Sequence, residues 1–152
     1  MPTPIRFSTS GPNGWMQTAD VPLETAKLID GAANGLDHVY FKRPESGVRA
    51  GIWRSSPYTE WYDSYPCDEF MYVLEGSVTL ENDELSETYR KGDAFIMPKG
   101  FRGYWKQSEP MLKCVIVDVP TVQRPNVTAA ALETVSAEIV KPPLDRATAT
   151  RA

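Results

Sequence analysis

Apolar and polar positions along this chain come in short bursts rather than helical stripes. The clearest pair of bursts lies between residues 68 and 105. Phe70, Met71, Tyr72, Val73 and Leu74 form one apolar run, stopped by Glu75 and Gly76, and Ala94, Phe95, Ile96 and Met97 form another, stopped by Pro98, Lys99 and Gly100. Runs this short, rich in Tyr, Val, Phe and Ile, predict strands. A further strand over 77–81 follows Gly76 directly, and the same reading predicts strands over 38–42, 47–55, 59–65, 85–89, 103–106 and 111–119. About nine short strands separated by turn signals predict an antiparallel sandwich or barrel. No helix alternates with these strands, so a parallel α/β sheet is not supported.

Side chains two apart share a face of a strand. Ala50, Ile52 and Arg54 therefore share one face, as do Trp61, Asp63 and Tyr65, with Pro66 a point where the alternation can break. Residues 20–31 allow a short helix, with Pro22 in its first turn and Gly31 as its stop. Residues 1–18 are polar and rich in Gly, Pro and Ser, which suits an arm. Near the C-terminus, Leu132, Val135 and Ile139 have helical spacing while Val135, Ala137 and Ile139 have strand spacing; helix is preferred for the Ala-rich first half, and Pro142-Pro143 ends it. The expected organisation is an N-terminal arm over 1–35, a single barrel over 36–120 and a C-terminal extension over 121–152.

Composition narrows the function classes. The chain has 152 residues, 41% of them hydrophobic, and a formal net charge of -4. That length suits one domain, and the apolar share is enough for a core. No run of Lys or Arg forms a basic stripe, so nucleic acid is not an expected partner. The two cysteines, Cys67 and Cys114, are too few for a disulfide scaffold. The first residues lack the apolar segment of a signal peptide, and no stretch approaches the roughly eighteen apolar residues of a membrane span. The expectation is a cytoplasmic protein with no membrane partner.

Two motifs carry a resemblance. Val73-Leu74-Glu75-Gly76 and Gly92-Asp93-Ala94-Phe95-Ile96-Met97-Pro98-Lys99-Gly100 resemble the paired motifs of the cupin superfamily. The glutamate of the first cupin motif falls on Glu69, and its two histidines fall on Asp63 and Tyr65. In the second motif Gly92, Pro98 and Gly100 match in register, and Gly103 stands at the histidine position. The phrasing is most similar to cupins related to ureidoglycine aminohydrolase and to ethanolamine-utilisation accessory cupins, over roughly residues 48–118. The resemblance implies an all-β fold, the cupin double-stranded β-helix or antiparallel jelly-roll barrel, and a homodimer formed through a sheet edge.

It also implies an inward Glu69, and strand alternation then brings Asp63, Tyr65 and Cys67 toward the same interior. Cupins of the usual kind bind a divalent metal through histidines and that glutamate. This chain has a single histidine, His38, outside the motifs. Asp63 and Glu69 offer two hard oxygen ligands that would hold magnesium, calcium or manganese only weakly, so no metal and no other cofactor is expected. The residues expected to act chemically are Glu69, Asp63 and Tyr65. Each also has a plain structural reading: Glu69 a satisfied barrel acid, Asp63 a rim charge, Tyr65 an ordinary barrel tyrosine. Trp61, Lys99, Trp105 and Arg54 are the candidate substrate-binding residues, with Lys99 at the barrel mouth. Trp53, Tyr58, Trp61, Tyr62 and Trp105 are dense around the motif, and together with inward acids some would line a ligand pocket. Cys67 has no nearby base and reads as a small buried residue; Cys114 reads as core.

The expected function is an enzyme acting on a small polar substrate by carboxylate-based proton chemistry, of lyase, isomerase, dehydratase or amidohydrolase type. The resemblance to ureidoglycine aminohydrolase suggests nitrogen-containing substrates. The alternative is a non-catalytic ligand-binding or accessory cupin of a metabolic pathway. A small molecule is the expected partner in either case.

Overall fold

Glycine and proline turns cut the chain into strands too short to stand alone, and two antiparallel sheets result. The computed structural model describes residues 1–18 and 26–118. Within them lie β1 (Gln17–Thr18), β2 (Ala26–Gly31), β3 (Gly35–Arg43), β4 (Val48–Ser55), β5 (Tyr58–Tyr62), β6 (Asp68–Glu75), β7 (Ser77–Glu81), β8 (Ser86–Arg90), β9 (Ala94–Met97), β10 (Gly103–Gln107) and β11 (Met111–Asp118). One sheet runs β1-β3-β4-β11-β6-β9 and the other β2-β5-β10-β7-β8. This is the all-β, two-sheet cupin barrel that the strand pattern and motifs predict.

Nearly every expected strand is present, and one expectation is corrected, the helix over 20–31. Residues 26–31 form β2, paired antiparallel with β5, and the remainder of that stretch lies outside the described residues. Tertiary pairing along β5 overrides a weak local helix signal. The N-terminal arm adds β1 to the edge of β3 and lays Phe7 on Tyr40 with ring centroids 4.7 Å apart. The helical or extended stretch read near Leu132 to Ile139 also lies outside the described residues.

The interior is built by strict alternation. On β6, Glu69, Met71 and Val73 are buried while Asp68, Phe70 and Tyr72 are exposed. On β5 the buried set is Tyr58, Glu60 and Tyr62, and on β10 it is Gly103, Trp105 and Gln107. β11 lies between β4 and β6, with Lys113 opposite Trp53 on one side and Val73 on the other. The core cluster therefore joins Met71, Val73, Val78, Leu80, Met97, Trp105 and Met111 to the tyrosines of β5.

Gly76, at the turn between β6 and β7, is fixed by geometry. Its φ is 76°, and a Cβ there would stand 2.2 Å from the Pro110 carbonyl oxygen. Gly92 has φ 95° but open space around it. Gly76→Ala should cost about 2–4 kcal/mol from strain plus backbone collision, against about 1–2 kcal/mol for Gly92→Ala from strain alone. Urea denaturation of the two variants checks the order; equal losses would mean that the Pro110 contact carries no weight.

Candidate functional site

A charged pair occupies the barrel interior. Glu69 on β6 is 8% exposed and Lys113 on β11 is 5% exposed. The register sets Val117 opposite Glu69 and Val115 opposite Met71, so Lys113 and Glu69 share the inward face four residues apart along adjacent strands. The lysine stem spans that offset, and Nζ reaches Glu69 Oε1 at 3.3 Å. Tyr65 donates its hydroxyl to the other carboxylate oxygen, Oε2, at 2.5 Å. Nζ also lies 3.1 Å from Met71 Sδ, 4.6 Å from the centre of the Trp53 ring and 4.7 Å from that of Trp105. The ammonium is therefore held by one carboxylate, one thioether and two indole faces, a cation–π cage.

Each member of the cage is positioned by backbone. Tyr65 follows β5 in a turn pinned at both polar atoms, its N–H donating to Phe101 O at 2.8 Å and its carbonyl accepting from the Gly100 N–H at 2.7 Å. Trp105 Nε1 donates to Gln107 Oε1 at 3.3 Å, and Gln107 Nε2 is anchored on the carbonyls of Ser55, Ser56 and Glu109. Trp53, Tyr58 and Trp105 then pack as one aromatic wall, with ring centroids 6.3–6.4 Å apart.

Burial sets the electrostatics. Desolvation pulls the Lys113 pKa below the usual lysine range, opposed by the neighbouring Glu69 carboxylate. Tyr65 and Tyr62 are pushed well above the ordinary phenol range, again chiefly by burial. Glu60 is raised by burial, with Tyr62 hydrogen-bonded to it as a partial offset. Cys67 is raised to about 11, first by burial and then by Glu69, so it is a thiol at neutral pH rather than a nucleophile.

A cavity of about 260 Å³ opens beside this group, near the lower end of the roughly 300–1,000 Å³ typical of ligand sites. Glu69, Lys113, Tyr65, Trp53 and Trp105 line its depth together with Tyr58, Glu60 and Tyr62. Asp37, Val39 and Arg49, from β3 and β4, line it nearer solvent. His38 is also a lining residue, and its ring meets those of Trp15 and Tyr40.

The residues expected from sequence divide. Glu69, Tyr65 and Trp105 come together in this cavity. Asp63 does not: it lies beyond the end of β5, exposed, paired with Lys27 at 2.9 Å and accepting from Trp61 Nε1 at 2.9 Å. Those hydrogen bonds, Lys27's first, hold its carboxyl below the ordinary range. Trp61 faces outward on β5, against Tyr104 and beneath the Arg102 guanidinium. Arg54 also faces outward and pairs with Glu75 at 3.6 Å. Lys99 is exposed in its turn, and its backbone N–H, not its ammonium, is engaged, donating to Asp68 Oδ1. Cys67 is buried as expected, whereas Cys114 is half-buried on the outer face.

The physical reason is parity. β5 ends at Tyr62, and its inward residues are Tyr58, Glu60 and Tyr62, the opposite set to Trp61 and Asp63. The turn before β6 then returns Tyr65 to the interior. The residue that sequence reasoning missed is Lys113. Its signal was present: a lysine inside the apolar run of Met111 to Val117, where a charge must either break the strand face or be buried against a partner.

A divalent metal of the cupin kind does not fit this donor set. Among the described residues no three His, Cys, Asp or Glu side chains gather as ligands. Asp63 stands apart from Glu69, and Glu69 already faces an ammonium. Gly103, at the second-motif histidine position, is packed so that a Cβ would meet the Glu81 carbonyl oxygen at 2.6 Å.

Comparison with known proteins agrees with the geometry. The family model described as an EutQ-like cupin domain matches residues 43–114, a stretch that contains Tyr65, Glu69, Trp105 and Lys113. Among solved structures, the EutQ protein of Clostridium difficile superposes with a TM-score of 0.50 at 17% identity, covering 58% of this chain and 70% of that one. A putative ethanolamine utilisation protein Q from Salmonella typhimurium LT2 gives 0.50 at 16%, covering 58% and 72%. A DUF861-family protein of unknown function from Pseudomonas syringae pv. tomato strain DC3000 gives 0.62 at 22%, covering 73% of this chain but 46% of that one, so this chain matches under half of that protein's length. At these identities the likeness shows the fold. No curated protein matches the sequence.

Two predictions follow from the buried charges. Lys113→Met leaves Glu69 buried without its cation and should cost about 3–5 kcal/mol, and adding Glu69→Gln should recover a large part of that loss. Denaturant melts of the two single variants and the double variant test the coupling; additive losses would show that the pair does not interact. The tyrosines set the alkaline limit. Below the free-phenol pKa of 10.0 both states keep these protons; above it the unfolded chain releases them first while Tyr62 and Tyr65 stay protonated in the barrel. Stability should then fall as pH rises past 10. Lys113, one group of opposite sign, makes its contribution below 10.5. Tyr62→Phe should flatten the alkaline limb of a Tm-versus-pH curve.

Proposed function

We propose that the interior of this barrel, which resembles an EutQ-like cupin domain over residues 43–114, binds a small polar molecule and moves a proton on it, Glu69 serving as the carboxylate that takes and returns the proton. The reaction types this chemistry covers are those of lyases, isomerases, dehydratases and amidohydrolases. The observation that supports the reading is the Tyr65–Glu69–Lys113 group on the wall of a cavity. Each carboxylate oxygen has a different neighbour, a neutral phenol on one side and an ammonium on the other. A substrate oxygen or nitrogen arriving beside Lys113 meets a hydrogen-bond donor with positive charge, and its adjacent proton meets a carboxylate.

The cavity adds selectivity. Trp53, Trp105 and Tyr58 present flat apolar faces, while Lys113, Glu69 and Glu60 present the ionisable groups. Arg49, exposed at the outer part of the lining, favours a ligand with an anionic substituent directed outward. The binding-only alternative rests on a specific observation too: both Glu69 oxygens are already hydrogen-bonded without a ligand, as a structural acid would be.

Glu69→Gln separates the two readings. Against a panel of small carboxylates, amides and hydroxy acids, the wild type should show a ligand-dependent rise in Tm and turnover by mass spectrometry. The Gln variant should lose turnover by about 100-fold or more, and Asp63→Asn should leave it unchanged. Full turnover in Glu69→Gln would end the catalytic assignment, and wild-type binding with no turnover would establish the accessory reading.

A further inference from the structure

We infer that Lys113 is a covalent site: its Nζ captures the carbonyl group of a small aldehyde or keto acid as an iminium inside the barrel. This deepens the proposal above by naming the substrate class, and it rests on the same cavity.

The first observation is the incomplete coordination of the amine. An ammonium carries three N–H donors. Among the described residues Nζ has one carboxylate oxygen, at 3.3 Å, and one thioether sulfur, which is a weak acceptor. The rest of its surroundings are two indole faces. The amine lines the cavity, so a further acceptor atom of a ligand can complete its shell. Burial also favours the neutral, nucleophilic amine over the ammonium.

The second observation is that the chemistry conserves charge. Before reaction the site holds Lys113 ammonium and Glu69 carboxylate. A proton passes from Nζ to Glu69, and the free amine attacks the carbonyl carbon, forming the C–N bond. Glu69 returns its proton to the carbinolamine oxygen and takes a second from nitrogen, which it delivers to the same oxygen. The C–O bond breaks, and water leaves with two of the three ammonium protons. The third stays on nitrogen, so the end state is an iminium beside a Glu69 carboxylate. One positive and one negative charge are buried before and after, and no uncompensated charge is created in the barrel. The Trp53 and Trp105 faces that hold an ammonium hold an iminium equally well.

Reductive trapping tests this. The full-length protein is incubated separately with glyoxylate, pyruvate and acetaldehyde in the presence of cyanoborohydride, and adducts are located by intact mass and peptide mapping. At least one probe should give a single adduct per chain on Lys113, at least tenfold above exposed Lys91. Lys113→Met should abolish that adduct, and Glu69→Gln, which retains the amine, should slow it at least tenfold. The wild-type peptide map is decisive by itself should Lys113→Met not fold. Labelling confined to surface lysines with all three probes overturns the covalent site. Non-covalent binding and turnover that depend on Glu69 would in that case still stand, so the two proposals fail separately.

Discussion

A barrel interior is a poor solvent for ions, and here it holds two. An isolated carboxylate or ammonium at this depth would be destabilised by several kcal/mol, and the pair is tolerable only because each partner is also hydrogen-bonded or caged. Tyr65 satisfies the carboxylate oxygen that Lys113 does not reach, and two indoles and a thioether surround the ammonium. The arrangement depends on β11 lying between β4 and β6. That strand order brings Lys113 beside Trp53 of one neighbouring strand and Glu69 of the other. Displacing any of the three strands by one residue would turn its member of the group outward.

The same pair occupies the place where the cupin motifs imply metal ligands. The barrel the motifs describe is usually centred on a cation held by histidines and a glutamate. Here the glutamate remains, the histidine positions carry an exposed aspartate, a tyrosine and a glycine, and the positive charge is a lysine side chain from β11. A lysine is a different instrument from a metal ion. It cannot widen its coordination shell, but in the proposed reaction it loses a proton to the glutamate 3.3 Å away that stabilises its charge. On that proposal electrostatic stabilisation and proton transfer share one contact, with the Tyr65 hydroxyl fixing the carboxylate from its other oxygen.

How far this was legible in the sequence can be traced residue by residue. Period-two runs bounded by glycine located the strands, because alternation and turn chemistry are local properties. Glu69, Tyr65 and Trp105 were within reach because the Gly76 and Gly92–Gly100 spacing fixes a register from which the inward positions can be counted. Asp63 and Trp61 were misplaced by a single parity step: β5 stops at Tyr62, and nothing local marks that the chain leaves the sheet there rather than at Pro66. Arg54 was grouped with Ala50 and Ile52 on one face of β4, with an inward carboxylate or the surface both open to it, and the structure turns it outward to pair with Glu75. Lys113 was missed for a different reason. Its partner is 44 residues away in sequence, and a lysine in an apolar run has no visible meaning until the strand order is known.

That distance in sequence also bears on how the site could have arisen and how it can be altered. Residues that share a local motif change together only through that motif, whereas Glu69 and Lys113 sit on separate strands whose pairing is set by backbone hydrogen bonds. The pair can therefore be exchanged for a neutral, apolar combination without disturbing the ladder that positions it, since both Cα atoms belong to strands held on two sides. Such an exchange would cost the fold little, because well-packed apolar residues of similar volume stabilise a core about as well as a buried ion pair does. An ammonium, a carboxylate and a phenol stand on the wall of a cavity where aliphatic side chains would serve stability at least as well, and that contrast is what supports the proposal that they act on a ligand.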